Sequence, residues 1–132
     1  MGLQYTDALR RAIIAALVTA ATETATFTSA TGVLPAGVKG DAAVLVMQDG
    51  DTAGTGSSVS LQVQSSPHGA GTWTNVGAAV AAATTGTGFY GLIPFDSGSV
   101  TGSDIRVVAT VTAGSGSTPS YKTSMALVSW VP

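Results

Sequence analysis

The sequence predicts a mainly β protein, an antiparallel β-sandwich or barrel of about seven strands with an N-terminal α-helix or arm. Apolar and polar residues alternate over several short segments, which is typical of strands with one buried face. Segments rich in Gly, Ser and Thr separate these strands and supply turns. The first residues differ, because they combine good helix formers with apolar residues at helical spacing. We therefore expect a helix or arm over residues 1–22 and one β domain over residues 23–132.

The clearest strand signal lies between residues 58 and 76. Val59, Leu61 and Val63 alternate with polar neighbours, and the turn-forming residues 66–71 (SPHGAG) interrupt the pattern. Trp73 and Val76 then resume an apolar run within residues 72–76 (TWTNV). This order predicts a β-hairpin, in which Trp73 acts as a core anchor.

The other predicted strands follow at short intervals along the chain. Gly91 and Pro94 weaken one of them, residues 89–95, and place it at the edge of a sheet or at a bend. The last strand carries Trp130, which we expect to be the second core anchor. The remaining predicted strands are residues 24–29, 42–48, 104–112 and 121–131.

The N-terminal segment, residues 6–21 (TDALRRAIIAALVTAA), contains neither Gly nor Pro. Thr6 is a plausible helix cap, and Asp7 lies where the helix dipole favours an anion. Leu9, Ile13 and Leu17 share one face of the predicted helix and are the candidate interface with a partner subunit. Packing of the same face on the protein's own sheet is the competing interpretation, and the sequence leaves both open.

A secretory signal is a further interpretation of this segment. Residues 10–11 would supply the charged region, residues 12–21 the apolar core and residues 18–20 a cleavage site. The apolar stretch is short and rich in alanine, which favours the helix. It is also shorter than the roughly 20 apolar residues of a membrane span.

The composition narrows the function classes. Only 9% of the 132 residues are charged and the net charge is −2, so much of the surface can be buried against other proteins without removing charges from water. The five basic residues are dispersed, which argues against a nucleic-acid ligand. The chain has no cysteine, which excludes disulfides and thiolate chemistry. We expect no cofactor and no membrane partner.

Few residues could carry chemistry. His68 is the only histidine and lies in a predicted turn, where we interpret it as a solvated side chain rather than a catalytic base. Asp49 and Asp51 are at most a weak surface cation site, because the remaining ligands of a calcium loop are absent. Asp96 and Asp104 are interpreted as loop-end acids that accept hydrogen bonds from turn amides. The sequence therefore favours a protein that is not an enzyme.

Two segments, VSLQVQSSPHGAGTWTNVG and SDIRVVATVTAGSGSTPSYKTSMALV, together resemble small structural proteins of tailed bacteriophages. The resemblance is a pattern of strands and turns over roughly residues 40–130, and it does not include the N-terminal segment. The sequence departs from the commoner pattern at Pro67 and His68, where acidic turn residues are more usual. The residues that carry the resemblance are Leu61, Gln62, Gln64, Ser65, Thr72, Trp73, Val76, Ile105, Arg106, Val107 and Val108.

The resemblance implies a virion protein, with a capsid decoration (cement) protein on the surface of the phage head as the first choice. Its partners would be the major capsid protein and further copies of itself, in a homo-oligomer that is often a trimer. A tail, head–tail connector or head fibre component is an alternative. From another class, a secreted carbohydrate-binding β-sandwich would use Trp73, Tyr90 or Trp130 as a stacking platform.

Overall fold

The computed structural model describes residues 13–35, 42–49, 58–82, 87–95, 100–112, 114 and 121–129. These residues form two antiparallel sheets, which confirms the predicted mainly β, sandwich-like fold. The described strands are β1 (Ile13–Glu23), β2 (Phe27–Thr28), β3 (Gly32–Val33), β4 (Ala42–Asp49), β5 (Ser58–Ser66), β6 (Thr74–Asn75), β7 (Val80–Ala81), β8 (Thr87–Pro94), β9 (Asp104–Thr112) and β10 (Tyr121–Ser129).

Sheet A contains four strands in the order β1-β10-β4-β8. Sheet B is built on the long pair β5 and β9, whose register runs from Ser58 opposite Thr112 to Ser66 opposite Asp104. The two-residue strands β2 and β3 both pair with β9, while β6 and β7 both pair with β5. Sheet B is therefore a two-stranded ribbon with short pieces along each side.

The core lies between the two sheets. Gly32 on β3 allows the sheets to approach closely, since an added Cβ would lie only 3.0 Å from a methyl carbon of Leu127 and 3.1 Å from one of Leu17. Residues at alternate positions of the long strands face inward, as their sequence pattern predicts. The larger apolar residues that β4, β5, β9 and β10 contribute to the core cluster are Val44, Val46, Val59, Leu61, Val63, Ile105, Val107, Tyr121, Met125 and Leu127.

The prediction of an N-terminal helix is wrong for residues 13–21, which belong to strand β1. Strand β1 pairs with β10 through a ladder that contains three register shifts. These irregularities interrupt the two-residue period, so the apolar residues fall at mixed spacings that resemble a helical pattern. β-Branched residues such as Ile14, Val18 and Thr22 suit the strand, and pairing with β10 outweighs the helix propensity of the alanines. Residues 6–12 of the predicted helix lie outside the described residues.

Leu17 lies in the core and not on the surface that the predicted interface requires. Its side chain is 3% exposed and packs in the core of its own sandwich, beside Ala15 and Val18. Leu9 lies outside the described residues, and Ile13 is described only as the first residue of β1. The candidate interface on this segment is thus corrected at the one position whose side chain is described.

The long strands after β1 agree with their predictions, whereas the predicted strand over residues 24–29 is reduced to Phe27–Thr28 and the short strands β3 and β7 were not predicted. Strand β9 has the predicted bounds, β4 extends one residue further, and the hairpin between β5 and β6 is confirmed by the pairing of Gln64 with Asn75. Strand β8 is an edge strand of sheet A, as Gly91 and Pro94 indicate. Within the described part of the chain, no helix has the length and hydrophobicity needed to cross a membrane.

Candidate functional site

The turn between β5 and β6, residues 67–73, forms one end of sheet B. Gly69 and Gly71 have φ angles of +73° and +67°, a left-handed conformation that glycine adopts readily because it has no Cβ. The Ser66 hydroxyl donates to the Pro67 carbonyl (3.0 Å) and accepts from the Thr72 amide (3.1 Å). These bonds close the turn and fix the direction in which its side chains leave the sheet.

Asp104, the first residue of β9, binds this turn with both carboxylate oxygens. Its Oδ1 lies 2.8 Å from Nδ1 of His68, and its Oδ2 accepts from the Gly69 amide at 3.0 Å. The Gly69 amide and then the hydrogen bond with His68 hold the pKa of Asp104 below its ordinary value, against a smaller opposing effect of burial. The interpretation of Asp104 as an acid that accepts from a turn amide is confirmed.

The His68–Asp104 pair supplies two of the three groups of a nucleophilic triad. The third group would be a hydroxyl hydrogen-bonded to His68, and none occurs among the described residues. The Ser66 hydroxyl, which is close in sequence, already forms hydrogen bonds with the Pro67 carbonyl and the Thr72 amide. The His68 side chain is 72% exposed, in agreement with its interpretation as a solvated turn residue. The pair therefore positions the turn.

Three hydroxyl groups connect the turn region to the segment before β9. Ser65, which is fully buried, bonds the Thr101 hydroxyl (3.1 Å) and accepts from the Thr101 amide (3.0 Å). The Thr101 hydroxyl also lies 2.9 Å from that of Thr74. Next to it, Gly102 packs against the backbone of Ser66 and Pro67 so closely that any Cβ there would overlap them. Hydrogen bonds and close backbone packing thus hold this end of sheet B together.

Trp73 is only half-buried and does not belong to the hydrophobic core cluster, so it does not act as the predicted core anchor. The guanidinium carbon of Arg106 lies 4.2 Å from the centre of its ring, a cation–π contact. Arg106 Nε donates to the Gln64 side chain (2.9 Å), which donates in turn to the Asn75 side chain (3.1 Å). The predicted anchor Trp130 lies outside the described residues.

These four side chains, Gln64, Trp73, Asn75 and Arg106, form what we call the sheet B array. Their association was not predicted from the sequence. The alternation of β5 and β9 places Gln64 and Arg106 on outward positions, but only the pairing register sets them opposite each other. A known register would have been the signal needed to find the array.

Uncharged residues occupy the middle of the outer face of sheet A on three neighbouring strands. Ala16 lies opposite Ala126, which lies opposite Leu45, and Ser124 lies opposite Met47 on the same face. Met47 is one of the exposed large hydrophobic residues, at 39% exposure. Lys122 lies on the same face at the beginning of β10. We use the name sheet A patch for Ala16, Leu45, Met47, Ser124 and Ala126.

The side chains of the acidic candidates Asp49, Asp51 and Asp96 lie outside the described structure. Among the described residues, no group of three His, Cys, Asp or Glu side chains could hold a metal ion. Asp49 is described only as the last residue of β4, while Asp51 and Asp96 lie outside the described residues.

No protein-family model, curated protein or solved structure matches this chain. What the protein does must therefore be inferred from its own fold and from the two surfaces described above.

Proposed function

We propose that this chain is a non-enzymatic structural protein of a tailed-phage virion, most specifically a capsid decoration protein that binds the major capsid protein on the head. The sheet A patch is the observation that carries the proposal. Its side chains are uncharged and lie on three adjacent strands, so burial against another protein requires little desolvation of charge. The same chain has few charged residues of any kind, at 9%.

A decoration protein acts by burying surface across several capsid subunits. Each contact can be weak, because contacts made simultaneously reinforce one another. Binding to the assembled shell also shifts the equilibrium away from its dissociated or unfolded subunits. The turn of residues 67–73 is held by several hydrogen bonds, which suits this role, because a preorganised surface loses little conformational entropy on binding.

The test mixes purified protein with undecorated heads of a phage that encodes the chain, followed by sedimentation of the heads. Met47→Glu places a charge in the sheet A patch and is expected to weaken binding by at least about tenfold. Thr110→Glu places the same charge on the exposed outer face of sheet B and is the matched control. Absence of binding by the unmodified protein refutes the decoration role, and equal binding by both variants refutes the role of the sheet A patch.

Carbohydrate binding is a second candidate, favoured by the exposure of part of Trp73 beside the amide side chains of Gln64 and Asn75. Aromatic rings beside hydrogen-bonding groups are suited to sugar faces. One face of the ring already contacts Arg106, so a sugar would use the opposite face. Titration with a panel of soluble glycans, monitored by tryptophan fluorescence in a Trp130→Phe background, tests this candidate. A spectrum that no glycan changes removes it.

A further inference from the structure

Strand β8 (Thr87–Pro94, TGFYGLIP) forms one end of sheet A and contains no charged residue. Within the described part of the chain it pairs with β4 on one side only. An edge strand leaves unpaired N–H and C=O groups, and natural proteins usually protect such edges with charges, prolines or bulges. The chemistry of this edge depends on which residues of β8 direct their backbone groups away from β4.

One hydrogen bond shows which residues of β8 direct their backbone groups toward β4 and which direct them away. The Phe95 amide donates to the Ala42 carbonyl at 3.1 Å, which makes these two residues a hydrogen-bonded pair of the antiparallel ladder. Hydrogen-bonded and non-hydrogen-bonded pairs alternate along such a ladder. The pairs Leu45–Leu92 and Met47–Tyr90 are therefore non-hydrogen-bonded, and the amides and carbonyls of Tyr90 and Leu92 point away from β4.

The part of β8 that could pair with a further strand is interrupted at each end. Pro94 also belongs to a non-hydrogen-bonded pair, with Ala43, so its missing N–H removes no bond to β4 but stops pairing on the outer side. At the other end, Gln48 pairs with Phe89 and Asp49 pairs with Thr87, so the register shift skips Gly88. The regular edge is thus Phe89–Ile93, with Gly91 at its centre.

The opposite end of sheet A is less suited to strand addition. Strand β1 contains three register shifts along its ladder with β10, whereas β8 contains a single shift near its beginning. Bulges twist an edge and interrupt the even spacing that an added strand needs. Strand β8 is therefore the regular edge of this sheet.

We propose that β8 pairs antiparallel with β8 of a second copy of this chain, about a two-fold axis at Gly91. Tyr90 of each copy then lies opposite Leu92 of the other, and the two pairs form four N–H···O bonds between the copies. The two Gly91 residues form the narrow, non-hydrogen-bonded pair at the axis, where Cα atoms approach to about 4.5 Å.

A second copy of the chain is the partner that fits this edge, because the edge is self-complementary. The outward groups at Tyr90 and Leu92, and the interruptions at Gly88 and Pro94, are placed symmetrically about Gly91, as an isologous two-fold contact requires. The pairing joins two four-stranded sheets into one of eight strands. It goes beyond the decoration role and does not depend on it, since purified protein alone suffices to test it.

The test measures self-association of the full chain by sedimentation over a range of concentrations. Leu92→Pro removes an outward N–H without removing a bond to β4, and Gly91 before it accommodates the proline. Leu92→Ala removes the same side chain but keeps the N–H and is the matched control. We expect the dimer dissociation constant of Leu92→Pro to exceed that of Leu92→Ala by at least about tenfold, because the symmetric contact loses a bond in each half.

Amide hydrogen exchange provides a second readout. The amides of Tyr90 and Leu92 should become protected as protein concentration rises, whereas those of Gly91 and Ile93, which bond to β4, should be protected at every concentration. Thermal melting of the Leu92 variants verifies that both are folded. A chain that remains monomeric up to about 1 mM overturns the proposal. A dimer that Leu92→Pro leaves intact, with the Tyr90 amide still exchanging freely, also overturns it.

Discussion

His68 and Asp104 are 36 positions apart in the chain, yet His68 Nδ1 lies 2.8 Å from Asp104 Oδ1. The same carboxylate accepts from the Gly69 amide through its other oxygen. Together these contacts hold the turn of residues 67–73 against the beginning of β9. The sheet B array is continuous with this turn, because Trp73 lies at its end and Arg106 follows Asp104 by two residues on β9.

Protonation of Asp104 should weaken the folded state. Its pKa is lower than the ordinary value of 3.8, chiefly because the Gly69 amide and His68 stabilise the carboxylate. A lowered pKa contributes stability above the unfolded-state value, and that contribution is lost as the pH falls through the folded-state value. Asp104→Asn should therefore be less stable than the unmodified chain at pH 7, with a difference that shrinks below about pH 4.

Urea denaturation at pH 7, 5 and 3 measures this difference. His68→Gln is the comparison variant, and it should cost less than Asp104→Asn because the bond from Gly69, the larger cause of the lowered pKa, remains. A difference in stability that stays constant across this pH range would contradict the assignment.

The contact between Arg106 and Trp73 should appear as an energetic coupling. Cation–π contacts at partly exposed sites contribute about 0.5–1 kcal/mol, so a double-mutant cycle with Arg106→Met and Trp73→Leu should give a coupling in that range. Denaturant unfolding of the four proteins of the cycle measures it. The pair Arg106→Met and Thr110→Ala, whose side chains share no contact, is the control. Coupling of similar size in both cycles would show that the cation–π contact is not the cause.

The sequence predicted strands correctly where the local residue pattern agrees with the final fold. The clean alternation of residues 104–112 predicted β9 with its observed bounds, and Pro94 predicted the edge position of β8. Both signals are local, because one depends on which face of a strand is buried and the other on a missing backbone donor.

The failures occur where long-range contacts decide the structure. Strand β1 pairs with β10 about a hundred residues later, and this pairing overrides the helical propensity of its alanines. Trp73 precedes a two-residue strand, so no alternation indicates which way it faces, and Val76 is the residue that enters the core instead. The His68–Asp104 contact requires the β5–β9 register, which composition and spacing do not contain.

Removing the hydroxyl group of Tyr121 should not lower the stability of the folded protein. Its side chain is fully buried, and within the described structure its Oη has no hydrogen-bond partner. Burial raises the pKa of Tyr121 and outweighs the opposing effect of the nearby Thr123 hydroxyl, which donates its own proton to the Met47 carbonyl at 3.0 Å. An unpaired buried hydroxyl is costly, so Tyr121→Phe should leave the free energy of unfolding unchanged or raise it by up to about 1 kcal/mol.

Thr123→Val, which also exchanges a hydroxyl for an apolar group, provides the contrasting case. It breaks the bond to Met47 and should lower the free energy of unfolding by about 1 kcal/mol. Chemical denaturation of both variants measures the two effects side by side. Loss of stability in Tyr121→Phe comparable to that in Thr123→Val would mean that the tyrosine hydroxyl is hydrogen-bonded in solution.

A substitution at Leu17 distinguishes the observed strand β1 from the expected partner-binding helix. As a core residue of β1, at 3% exposure, Leu17 replaced by alanine should reduce the free energy of unfolding by about 2–5 kcal/mol, because the deletion leaves a cavity between the sheets. Its neighbour Ala16 is exposed, so Ala16→Ser should change stability by less than about 0.5 kcal/mol. Both values are measured on purified protein by urea unfolding, without any partner present. If Leu17→Ala were as stable as Ala16→Ser, Leu17 would lie outside the core, as the helical arm requires, and the sandwich would lose its β1 edge.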